Sequence, residues 1–120
     1  MTESTGPNVE ALATDRVSVL EDLVSVAEGA IVSRVLARTS GGNVTLFAFD
    51  GGQGLSEHTA PFDALVQVVS GRLDLTIDEA KHNLGAGEII RMPADIPHSL
   101  HAPEPARMLL TMLREKKSEE

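Results

Sequence analysis

The sequence holds no cysteine, no tryptophan and no tyrosine, and only three phenylalanines in 120 residues. Without cysteine there is no disulfide framework, no thiolate metal site and no cysteine nucleophile. Such usage suits a cytoplasmic chain. With aromatic residues at 2%, there are no ring platforms on which the bases of a single strand would stack. Any core has to be built from Val, Leu, Ile, Met and the three Phe. Positive charge is also scarce: ten Lys and Arg face eighteen Asp and Glu, a net charge of −8. That balance repels phosphate backbones and anionic lipid, so neither nucleic acid nor membrane is an expected partner. No apolar run approaches the roughly 20 residues of a membrane helix. The opening MTESTGPNVEALATD is polar and acidic, without the apolar segment of a signal peptide.

What is present is short strands and turns. The length fits one domain, and an apolar fraction of 42% is enough for one core. Residues 1–16, rich in Thr, Ser, Glu, Pro and Asn, read as a mobile arm, and 115–120 as a charged tail. A helical turn is expected around Leu20–Leu23, and the domain proper over 17–114. From Ala30 the pattern becomes β. Ala30–Arg38 ends at Thr39-Ser40-Gly41-Gly42, a hairpin signal. Val44–Phe49, Ala64–Val69 and Ala106–Leu113 are apolar on both alternating faces and need cover on both sides. Arg72–Asp78 alternates cleanly, with Leu73, Leu75 and Ile77 opposite Asp74, Thr76 and Asp78, as in a half-buried antiparallel strand. A short strand ends near Leu84, another spans Glu88–Arg91, and His98–Ala102 follows a connector stiffened by Pro93 and Pro97. Asp50–Gly54 reads as a flexible loop. Turns every eight to ten residues with almost no helix predict an all-β sandwich or closed antiparallel barrel.

Two segments carry a family resemblance. Gly52 precedes His58 by five intervening residues, and Gly71 closes that segment. Gly87, Pro93 and His98 recur at the spacing of a second motif. Their order and separation resemble the two cupin motifs, and GLSEHTAPFDALVQV, MPADIPHSL and MLLTMLR are similar to small single-domain cupins. The resemblance covers about residues 30–114. It implies a small β-barrel or jelly roll, with histidines opening strands at the barrel mouth, and pairing into a homodimer. Cover for the outer side of Ala106–Leu113 would come from such a partner or from the N-terminal segment.

The same resemblance implies a metal held by three His and one Glu, but this chain departs from that set. Ala60 stands where the second His is expected, Ala64 where the Glu is, Asp95 for a Gly and Ala102 for the Asn. Only His58 and His98 remain of four ligands, and two imidazoles make a poor cage. Gln67 is the candidate third ligand, although alternation turns it away from Ala64, Val66 and Val68 unless a bulge intervenes. Glu57 should point away from His58. Asp63 either replaces the missing Glu or caps a turn beside Pro61. His82 and His101 are expected to face solvent, and Met92, Met108 and Met112 to fill core. The expected ligand pocket comprises His58, Ala60, Ala64, Val66, Gln67, Met92, His98 and Leu100.

Three functions are consistent with these residues. The first is a module binding a small organic ligand, with one divalent transition metal (Zn, Mn, Fe or Ni) held weakly at His58 and His98, or none. The second is a metal-dependent dioxygenase or isomerase. The third is a metal-free isomerase or lyase with a histidine base. No nucleophile triad, phosphate-binding loop or dinucleotide fingerprint is present.

Overall fold

The computed structural model describes residues 11–114. Among the described residues, nine antiparallel strands follow one 3-10 turn at Leu20–Leu23. They are β1 (Ile31–Thr39), β2 (Gly42–Phe49), β3 (Gly54–His58), β4 (Asp63–Ser70), β5 (Arg72–Ile77), β6 (Ala80–Gly85), β7 (Ile89–Met92), β8 (His98–His101) and β9 (Ala106–Leu113). Among the described residues no helix is long and apolar enough to cross a membrane.

The strands form a five-stranded sheet in the order β1-β2-β9-β4-β7 and a four-stranded sheet in the order β3-β8-β5-β6. The all-β, antiparallel jelly roll is the expected one. Its hydrogen-bonded ladders stop at the edges of each sheet, so the barrel is two facing sheets rather than a closed ring. β4 ends in one sheet and β5 begins in the other across the single residue Gly71. A Cβ there would lie 2.2 Å from the Pro105 carbonyl oxygen, and its φ is +75°. Only glycine makes that crossing without strain.

The inner core follows from alternation. β4 turns Ala64, Val66 and Val68 inward, β5 Leu73 and Leu75, and β9 Ala106 and Met108. Met92 and Leu100 join them, and Met112 packs at their margin. The three methionines therefore fill core, as expected. Burial of this aliphatic set is the main stabilising term, at about 25 cal/mol per Å² of apolar surface.

A second cluster lies on the outer face of the five-stranded sheet. Leu36, Leu46 and Ala48 are buried there beneath Val24, with Leu12, Leu20, Leu23 and Val26 packed around them. The chain supplies this cover itself. Arg107 Nε donates to the Val24 carbonyl at 3.1 Å, and Arg34 donates to that of Leu23 at 3.3 Å. Leu12 N–H donates to the Leu36 carbonyl at 2.8 Å. Part of the arm assigned to residues 1–16 is thus tied to β1; residues 1–10 and the tail at 115–120 lie outside the described residues.

Two local expectations need correction. Gly54–His58 forms β3, so His58 closes a strand rather than opening one. His82 is partly covered rather than solvent-facing. It pairs with Leu75 across β5 and β6, which places it on the core face at the sheet edge.

Candidate functional site: an imidazole pair at the mouth

His58 and His98 are ladder partners at one end of β3 and β8. Leu55 and Leu100 pair in the same ladder, with a register shift between the two pairs. Three steps on β3 thus match two on β8, so β3 carries one extra residue, a β-bulge. Without it, period-two alternation would put Leu55 and His58 on opposite faces. With it, both face the space between the sheets. His98 is 6% exposed, whereas His58 is open to solvent.

The ring nitrogens define the chemistry. His58 Nδ1 lies 2.8 Å from the Ser56 carbonyl oxygen, and His98 Nδ1 lies 3.1 Å from that of Ile96. A carbonyl can only accept, so each Nδ1 carries a proton and donates it. That assignment leaves each Nε2 as the ring's basic atom. The two Nε2 atoms are 3.2 Å apart, with the rings edge to face at 68°. The two basic nitrogens thus meet at one point of the mouth.

The loops on either side of the pair are tied together. Asp63, the first residue of β4, accepts from Arg91 Nε at 2.9 Å and from the Ala94 N–H at 2.8 Å. It also contacts Arg91 NH2. The Arg91 hydrogen bond, and then that of Ala94, hold its carboxyl below the ordinary value of 3.8, against a smaller opposing effect of desolvation. Asp63 therefore caps the loop and does not stand in for the missing Glu. The Ala60 carbonyl accepts from Asp95 N–H at 2.7 Å, and the Pro97 carbonyl from Asp78 N–H at 2.7 Å.

The other expected site residues divide. Ala64, Val66, Met92 and Leu100 are buried in the core cluster. Ala60 lies in the loop after His58 and is partly covered. Gln67 is a correction: it pairs with Ile89 and Leu109, between inward Val66 and Val68, so it lies on the outer face. The irregularity in β4 falls after Val68, too late to reverse it. Glu57 is exposed, and His101 sits on the outer face opposite Asp74. Among the described residues no three His, Cys, Asp or Glu side chains gather as a metal-ligand group.

Sequence reasoning missed the two carbonyls, Ser56 and Ile96, that fix the tautomers. It also missed Ile77, which partners His98 on the side away from His58. A cleft of about 450 Å³ opens elsewhere, on the outer face of the four-stranded sheet, lined by Asp74, Thr76, Lys81, Asn83, Ser99 and His101 among others.

A jelly roll of two antiparallel sheets with histidines at its mouth is the architecture of the cupins. The cupin domain profile matches residues 45–112, and the chain belongs to that family. A conserved protein of unknown function from Streptococcus pyogenes is 31% identical with a TM-score of 0.85, covering 95% of this chain and 100% of its own. A cupin superfamily protein from Desulfitobacterium hafniense is 25% identical (TM-score 0.83), covering 88% of this chain and 97% of its own. A cupin 2 conserved barrel domain protein from Leptotrichia buccalis is 34% identical (TM-score 0.75), over 78% of this chain and 45% of its own. No curated protein matches.

Proposed function

We propose that this cupin binds a small organic ligand at the mouth between its sheets, against a His58–His98 pair that takes up a divalent transition metal weakly. The observation that supports this reading is the 3.2 Å separation of the two Nε2 atoms, each freed for bonding by an Nδ1–H engaged elsewhere. Two imidazole nitrogens at Zn–N distances of about 2.0–2.1 Å around a tetrahedral ion stand about 3.3 Å apart. The pair thus suits two corners of such a site. Water and the ligand's own oxygen or nitrogen donors would supply the rest. A bound ion would act there as a Lewis acid toward the ligand. His58 and His98 hold and orient, and the apolar wall of Leu55, Ile77 and Leu100 excludes water on the inner side.

Donor count favours binding over a metal-dependent dioxygenase or isomerase. Catalytic metal sites keep three protein ligands, and no third His, Cys, Asp or Glu joins the pair among the described residues. The same separation also suits an N–H···N hydrogen bond.

Titration of the purified chain with Co²⁺, followed by its visible absorption, tests the reading. The expected result is saturable binding in the native chain that weakens as pH falls and is lost in both His58→Ala and His98→Ala. Absence of binding in the native chain, or unchanged binding in both variants, would overturn it.

A further inference from the structure

His98 is held by a segment with no regular structure. Residues 93–97 join β7 in one sheet to β8 in the other. Three hydrogen bonds pin this connector from outside itself: Ala94 N–H to Asp63, Asp95 N–H to the Ala60 carbonyl, and Asp78 N–H to the Pro97 carbonyl. Asp63 is the one side chain among them. Its own loop, residues 59–62, begins directly after His58. That loop is also fastened by Arg114, whose guanidinium sits 5.0 Å from the Phe62 ring centre. The segment after His58 and the segment before His98 are therefore joined to each other near Asp63 as well as by the β3–β8 ladder.

We propose that Asp63 is a positioning residue for the imidazole pair: by holding Ala94 N–H it fixes the connector whose Ile96 carbonyl orients His98. The Arg91 guanidinium holds the carboxylate in place, since both its Nε and NH2 meet the oxygen that Ala94 leaves free. The charge of Asp63 is thus spent on Arg91, and its hydrogen-bonding on the loop. Neither oxygen is directed to a ligand. The inference about cation binding rests on the function proposed above; the inference about ring geometry does not.

Two readouts separate the two. In metal-free protein, ring ¹⁵N NMR of His98 reports its tautomer and its contact with His58. Isothermal titration with Zn²⁺ reports cation uptake. Asp63→Ala should release His98, moving its ring signals toward those of a freely exchanging imidazole. It should also weaken Zn²⁺ binding about tenfold or more, the scale of lost outer-shell support. Asp63→Asn keeps an acceptor for Ala94 N–H and should restore most of both. If Asp63→Ala lowers only thermal stability and leaves the His98 signals unchanged, the positioning role is wrong. If Asp63→Ala does not fold, Asp63→Asn compared with Arg91→Gln replaces it. Arg91→Gln, which loosens the carboxylate, should then speed Ala94 N–H exchange and move the His98 ring signals relative to Asp63→Asn, and unmoved ring signals would overturn the role. Native chain that binds no Zn²⁺ but shows the ring response would sink the metal reading and keep this one.

Discussion

The two sheets share a core but have opposite outer faces. On the five-stranded sheet, Leu46 and Ala48 are wholly buried under residues 11–30. On the four-stranded sheet, Asp74, Lys81, Asn83 and His101 stand in solvent, where Asn83 accepts from Arg72 and donates to Asp74 at 2.6 Å. The strand patterns explain the contrast. β5 alternates apolar and polar residues and buries one side. β2 is apolar on both sides and demands a third layer. The short N-terminal segment is that layer, and it is fastened with arginines as well as leucines.

The largest test of the contrast is Leu46→Ala. It removes a fully buried side chain from between sheet and cover, and should cost about 2–5 kcal/mol in urea unfolding. Lys81→Ala on the open face should stay within about 0.5 kcal/mol. Near-equal costs would mean that the cover contributes nothing to the fold. Next comes Arg107→Ala, which deletes bonds to the Val24 carbonyl and to Ser70 Oγ. A loss of about 1–2 kcal/mol is expected, with faster amide exchange confined to residues 20–36. Global acceleration instead would show that the segment and the sheet unfold as one unit.

The smallest effect concerns the join between the sheets. The folded-state pKa of Asp63 is depressed by Arg91 and Ala94. Its contribution to stability is therefore complete above the ordinary carboxyl value of 3.8 and is lost as pH falls through the lowered one. Melting temperatures of the native chain and Asp63→Asn should converge below pH 3.8. A gap that stays constant through that range would show that the carboxylate charge is irrelevant.

Much of this was legible in the residues. The alternation of β5, the double-sided apolarity of β9, the Ser40-Gly41 turn and the proline-bounded connector all follow from local chemistry. β3 was not, because Gly54, Ser56 and Glu57 are weak strand formers and most of the strand is exposed. His82 was misplaced because its face is set by pairing with Leu75, a property of register rather than of its own segment. Spacing marked His58 and His98 as a pair. It could not show that their basic nitrogens meet, since that depends on two backbone carbonyls and one bulge. Gln67 remained a candidate ligand only while a bulge in β4 stayed open. The bulge that matters lies in β3 instead.

That bulge makes the segment between Leu55 and His58 sensitive to counting. Ser56 offers only its carbonyl to the site, and Glu57 faces water, so neither side chain is prescribed by the pair. What is prescribed is that there be two of them. An insertion or deletion of one residue reverses the parity and sends His58 outward, whereas exchanging both for other polar residues leaves it in place. The segment is constrained in number and free in kind.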